Sequence, residues 1–326
     1  MIAYLVKRLV QGIAVMLVIS ALGFAIQSHL GDPLRDLVGQ SLGQDAQQQL
    51  RQDLGLDDPY WAQYVRFLGR VMQGDLGTSL FFDEPALQVI LKKLPATLEL
   101  VFAATVIIVL LSVPLGVYTA IRPHAILSRV IMGLSVLGIS TPVFLTAILM
   151  ISVFSVGYGW LPAFGRGDAV PVWGYWETNF ASLDGLSHIL LPSVALAAIM
   201  LPMFIRLIRA EMLEVLQSDY VKYARAKGLH PLRIYYVHAL KNTLMPVITL
   251  GGVQIGTMVA YTILTETVFQ WPGMGFMFLE AVNRADTPLI VAYLIVVGLI
   301  FVLTNTLVDL IYALVNPTVK LARMGA

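Results

Sequence analysis

SDYVKYARAKGLHPLRIYYVHALKN, residues 218–242, decides how this chain is read. Lys222, Arg225, Lys227, Arg233 and Lys241 crowd there beside aromatic residues, one glycine and one proline, with long apolar runs on both sides. Asp219 or Ser218 can accept from the free backbone donors of a first turn, which predicts a short helix over Tyr220–Lys227. Val221, Ala224 and Leu229 fall on its apolar side, and Lys222, Arg225 and Lys227 project elsewhere. Gly228 ends it, since glycine takes the left-handed cap conformation without a Cβ penalty. Pro231 opens a second helix, Leu232–Leu240, that leads into the next apolar run. Such an element is either an anchor on anionic lipid or a lever that meets another protein, and its charge suits both. Its small residues Ala224, Ala226 and Gly228 permit a partner's close approach.

The flanks set the solvent. Of 326 residues, 58% are hydrophobic and 13% charged, and the mean hydropathy is +0.78, whereas a soluble domain carries about 25% charged residues. Much of the chain is therefore solvated by lipid. A net charge of +1 argues against nucleic acid as the main partner. The absence of cysteine excludes disulfides, thiolate metal sites and a cysteine nucleophile. Six apolar segments reach the roughly 20 helical residues that a bilayer core needs: Leu9–Ser28, Ala96–Ala120, Val130–Phe154, Ile189–Ile208, Leu244–Leu264 and Leu289–Leu314. Helix is the only open-chain structure that satisfies its backbone in lipid, so the expected class is an all-α membrane protein with six transmembrane helices. Pro142 should kink the third span, and Pro192 and Pro202 should bend the fourth. The first run follows Lys7 and Arg8 like a signal peptide, but it exceeds an ordinary apolar core and lacks a small-x-small cleavage site, so it reads as a retained span.

Lysine and arginine orient the bundle. With the N-terminus inside, Lys7, Arg8, Arg122, Arg129, Lys320, Arg323 and the basic residues from Arg206 to Lys241 all lie inside. The two short outer loops hold only Arg166 and Arg284. Both termini are then inside. The expected parts are an N-terminal span (1–29), an outer helical segment (30–95), a core of five spans (96–315) with an inner loop at 209–243, and an inner tail (316–326). In the outer segment, Asp58 with Pro59 and Asp83 with Pro85 read as helix starts. Trp61, Tyr64, Val65, Leu68 and Met72 follow the first along one face. This segment either packs on the core or caps a pathway and docks an outer partner. Between Gly157 and Leu186, Trp160, Trp173, Tyr175 and Trp176 suit an interfacial aromatic belt with re-entrant turns.

No P-loop, zincin or nucleophile-elbow motif occurs. None of the five histidines has a partner at metal-ligand spacing, and His238 reads as an interfacial hydrogen-bonder. Glu99 and Glu266 lie near outer span ends and Asp309 near an inner one, away from where a proton relay belongs. Neutral polar residues do lie within spans. Gln254, Thr257, Tyr261 and Thr265 form one stripe, joined by Ser135, Ser140 and Thr141 and by Thr304 and Asn305. They either bond between helices or line a translocation cavity.

DYVKYARAKGLHPLRIYYVHALKNTLMPVITL resembles the cytoplasmic loop of binding-protein-dependent ABC importer permeases of the dipeptide/oligopeptide/nickel group. In that loop's general motif, E-A-A-x-x-x-G-x9-I-x-L-P, Ala224, Gly228 and Leu240 match. Lys222, Tyr223, His238 and Lys241 depart from it. Ala224–Leu229, His238–Asn242 and Pro246 follow the peptide group's own version. GDPL at 31–34, LGLDDPYWAQYVRFL, GDLGTSL, Glu266–Ile290 and NTLVDLIYALVNPTVKL are similar to the group along essentially the whole chain. The resemblance implies a type I importer permease in a bacterial cytoplasmic membrane. It would pair with a second permease, two ATPases that hold ATP and magnesium, and an outer solute-binding protein, with no cofactor of its own. It also implies a coupling helix, carried here by Asp219, Tyr220, Lys222, Ala224, Arg225, Ala226, Lys227 and Gly228. Peptides are the implied cargo, with nickel, glutathione or a sugar as alternatives. A solo secondary transporter fits less well, and a membrane-embedded enzyme lacks any catalytic constellation.

Overall fold

In the computed structural model, which describes residues 2–30 and 58–315, the apolar runs form helices. In chain order these are α1 (Ile2–Leu30), α2 (Tyr60–Met72), α3 (Ala86–Ile121), α4 (Ile126–Ser140), α5 (Val143–Met150), α6 (Leu183–Leu216), α7 (Asp219–Ala226), α8 (Leu240–Val268), α9 (Met274–Asn283) and α10 (Thr287–Val315). A turn at Pro231–Arg233 and a π-helical segment Ile234–Ala239 run directly into α8, so Pro231–Val268 is one rod. Among the described residues, α3, α6, this rod and α10 are long and apolar enough to cross a membrane. Helices α4 and α5 make a fifth span if the bent pair counts as one, and α1 contributes a shorter apolar stretch, Val10–Ile26.

Helices α3 and α6 form the centre. Leu100, Ala104, Ile108 and Val117 of α3 and Leu196, Ala197, Met200 and Ile208 of α6 are buried in one cluster. In lipid there is no hydrophobic drive between helices, so close backbone approach decides which of them associate. A Cβ on Gly116 would stand 2.7 Å from Ile208, on Gly252 2.2 Å from Val308, and on Gly298 2.4 Å from Ile19. These glycines seat α3 on α6, α8 on α10 and α10 on α1.

Four sequence expectations need correction. The run Val130–Phe154 is two helices bent by 112°, a sharper break at Pro142 than the kink expected of one span. A proline drives the preceding residue out of helical conformation, and Thr141 is extended at φ −92°, ψ 125°. The second span does not start after Pro95. Helix α3 begins at Ala86 and carries Pro95 and Pro114 inside it, so the division at 95/96 falls within one helix. The helical class holds but needs one addition, a hairpin of β1 (Val170–Trp173) and β2 (Trp176–Thr178), paired antiparallel with Trp173 opposite Trp176. Its two-residue turn uses Gly174 at φ +59°, the positive φ that such turns demand. Lastly, Asp58 and Asp83 cap nothing. Helices α2 and α3 start after Pro59 and Pro85 without a side-chain cap, and Asp58 pairs instead with Arg66 at 2.6 Å. The GDPL motif and the tail 316–326 lie outside the described residues.

Candidate functional site

Helix α7 sits at the end of α6, one residue from where the sequence placed it. Ser218 occupies the N-cap position, but its hydroxyl donates to the Val215 carbonyl at 2.6 Å, so the expected side-chain cap is absent. The Asp219 carboxylate accepts from Lys222 Nζ at 2.9 Å, and that lysine holds the Asp219 carboxyl below the usual carboxylate range. Both side chains are exposed, so the pair does little to hold the helix.

The far end is built more firmly. Gly228 has φ +72°. Its N–H donates to Arg225 O at 2.9 Å, and Leu229 N–H donates to Ala224 O at 3.3 Å. These two bonds form a Schellman closure, which needs a left-handed residue at this position. Beneath the helix Val221, Ala224 and Ile234 are buried together, with Leu229 and Tyr235 packed on them. Asn242 Nδ2 donates to the Tyr220 hydroxyl at 2.7 Å and ties α7 to the first turn of α8. On the outward side Tyr223, Arg225, Ala226, Lys227 and Gly228 are exposed, with Lys227 Nζ 4.7 Å from the Tyr223 ring centre. A Cβ on Gly228 would meet nothing within 4 Å. Helix α7 is thus a small rigid block, bonded to the bundle on one side and open on the other, a shape that can carry a push into α6 and α8. His238 departs from its sequence reading, because its Nε2 is buried with no hydrogen-bond partner among the described residues.

The polar stripe on α8 divides. Tyr261 is exposed and Gln254 lines an apolar cavity of about 350 Å³ between α3 and α8. Thr257 and Ser140 donate to carbonyls of their own helices, Val253 O and Val136 O, and Asn305 Nδ2 donates to Phe301 O. Thr265 is fully buried, so it does not join Gln254 and Tyr261 on an accessible lining.

Three buried carboxylates on the opposite side of the bundle do work that the sequence reading did not give them. Glu266 accepts from Thr97 Oγ1 and Gly275 N at 2.7 Å and from Phe276 N at 3.0 Å, so the end of α8 is bound to α3 and to the N-terminus of α9. A Cβ on Gly273 would stand 2.4 Å from this carboxylate, which is why the WPGMG turn needs glycine there. Glu99 accepts from Arg166 Nη2 at 3.2 Å and from Asn179 N at 3.1 Å. Arg166 also donates from Nε to Asn179 Oδ1 and from Nη2 to Glu177 O, both at 2.6 Å, pinning the hairpin to α3. Asp286 accepts from Ser79 Oγ at 2.5 Å and from Phe81 and Leu289 N–H, joining the α2–α3 connection to α10. Only the tandem of an acidic residue with a glycine-rich turn, Glu266 with WPGMG, hinted at any of this in the sequence.

The family described as binding-protein-dependent transport system inner membrane component matches residues 112–321, and its N-terminal companion matches residues 1–101. The chain belongs to this family. It is 35% identical to the dipeptide transport system permease protein DppB of Escherichia coli strain K12, over 98% of this chain and 99% of the relative. It is 33% identical to the oligopeptide transport system permease protein AppB of Bacillus subtilis strain 168, over 98% and 100%. With the glutathione transport system permease protein GsiC of Pectobacterium atrosepticum it shares 35% identity, over 98% and 99%. An inward-facing structure of the MetNI methionine ABC transporter superposes with a TM-score of 0.55 at 19% identity, covering 72% of this chain and 99% of that one. That likeness is one of fold. This family member is a multi-pass membrane subunit of an ABC transporter, the permease and not the ATPase.

Proposed function

We propose that this permease forms half of the pathway by which an ATP-driven importer takes up short peptides, and that α7 is where the energy enters. In this reading the chain crosses the membrane six times with both termini inside, α1 and the bent α4–α5 pair counting as spans. It pairs with a second, homologous permease. Two ATPase subunits hold ATP and magnesium, and an outer binding protein delivers the solute. The observation that carries the reading is α7 itself, bonded to α6 and α8 behind and presenting Tyr223, Arg225, Ala226, Lys227 and Gly228 in front. ATP-driven closure of the ATPases would move α7 and, through Val221, Ala224 and Asn242, α6 and the helix α8 that carries Gln254 and Tyr261. Peptide cargo is supported by the relatives named for dipeptides and oligopeptides. The glutathione-named relative favours a modified tripeptide as the second reading.

The test is uptake of labelled di-, tri- and oligopeptides by cells carrying Ala226→Trp, with membrane content measured alongside. The block on the outward face should abolish uptake while the protein stays in the membrane. Unchanged uptake by this variant would defeat the coupling role. Uptake by the purified chain alone in liposomes, without ATP, would defeat the importer reading.

A further inference from the structure

We propose that α2 is a bilayer-interface helix whose outward stripe, Trp61, Val65, Leu68 and Met72, rests on phospholipid acyl chains instead of facing water. Its apolar arc is too wide for the contacts the bundle makes with it. Tyr64, Phe67 and Val71 occupy one half of the arc and pack on Met16, Ile19 and Phe24 of α1 and Val291 and Ile295 of α10. The other half is left open, with Trp61 72%, Val65 59% and Met72 88% exposed. At 100° per residue the polar side, Gln63, Arg66 and Arg70, lies opposite this open half.

Depth decides what covers the stripe. Val291 and Ile295 lie one and two turns into α10, about 6 and 12 Å along its axis from Thr287. The Tyr64 hydroxyl meets Leu17 O at 3.1 Å and Ser20 Oγ at 2.8 Å, within the apolar stretch Val10–Ile26 of α1. Helix α2 is therefore fastened to two membrane helices about 6 to 14 Å below the outer ends of their apolar stretches, Leu17 being nine residues from Ile26, so its open stripe lies at acyl-chain depth. Arg66 and Arg70 leave on the side that headgroup phosphates would occupy, and Tyr60 and Trp61 stand at the helix start as interfacial aromatics do. Beneath α2 an open groove of about 640 Å³ runs between α1 and α10, walled by Ile13, Met16, Leu299 and Val302 and lipped by Leu68 and Met72. Such a groove suits an acyl chain lying against the bundle. The leaflet, the outer one, rests on the orientation proposed above; the contact with lipid does not.

The chain has no cysteine, so a single one gives a unique label site. Val65→Cys and Arg70→Cys would each carry a nitroxide in the full chain, assembled with cysteine-free partner subunits in phospholipid nanodiscs. Power-saturation measurements with oxygen and a water-soluble nickel chelate then report lipid against water. The expected result is an oxygen-to-chelate ratio severalfold higher at 65 than at 70. Strong collision with the chelate at 65 would put the stripe in water and overturn the proposal. Exclusion of both reagents at 65 would mean that protein covers it, from a partner subunit or residues 31–57, and would overturn it equally. Neither readout involves transport, so failure here is distinct from failure of the importer reading.

Discussion

Glu99 and Arg166 are the pair on which single-residue arguments turn. Both are largely buried, at 4% and 11% side-chain exposure. Removing one partner of a buried ion pair leaves a desolvated charge, at a cost of about 3–5 kcal/mol. Because Arg166 keeps Asn179 and Glu177 O, Glu99→Gln should fall near the low end, about 3 kcal/mol, read as a lower unfolding temperature in nanodiscs. Adding Arg166→Met should recover part of it, and a double variant no better than the single would show the pair is not the tie. Gly228 makes a different demand. Space is open around it, so only φ penalises a side chain, by about 1–2 kcal/mol for most residues and less for asparagine. Gly228→Asn should retain most peptide uptake and Gly228→Val little, with equal membrane content. Asp219 has a depressed carboxyl pKa in the folded chain, so its contribution is present above the ordinary aspartate value and lost only as pH falls through the lowered one. Asp219→Asn should therefore leave the pH profile of uptake unchanged between roughly pH 6 and 8; a changed slope there would contradict this.

At the scale of elements, glycine contacts determine which helices pair. Gly298 stands where a Cβ would reach within 2.4 Å of Ile19. Overpacking a tight contact costs about 1–3 kcal/mol, so Gly298→Val should loosen α1 from α10, while the companion change Ile19→Ala should restore the fit. Thermal unfolding of the three variants measures this, and no recovery in the double variant would refute the contact's role. Helix α7 is legible at this scale because its signals are local: Val221 and Ala224 on one face, then Gly228 as stop. Its N-terminal side-chain cap does not form because the Ser218 hydroxyl is turned back to donate to Val215 O and does not reach the free N–H groups of the first turn, an orientation that only the turn's geometry creates. The broken α4–α5 pair was half legible. Pro142 announced an interruption, but a proline does not state an angle, and Ala147 packing with Leu191, Ala195 and Phe269 holds α5 where it is.

Across the whole molecule, one end of the bundle is tied by buried carboxylates and the other presents α7 on an apolar seat. Val221→Asp should unseat α7 by placing a charge where nothing is exposed, and co-purification of ATPase subunits should drop severalfold while the chain remains in the membrane. Undiminished co-purification would mean the ATPases grip elsewhere. The apolar runs, their lipid solvent and the short basic helix were readable from the sequence alone, because hydropathy, period and glycine stops act over a few neighbouring residues. The hairpin's anchorage, the Glu266–Thr97 and Asp286–Ser79 bonds and the burial of Thr265 were decided only by the tertiary structure. Those partners lie 169 and 207 residues apart for the two bonds, and no local pattern encodes which distant polar group will arrive to satisfy a carboxylate withdrawn from water.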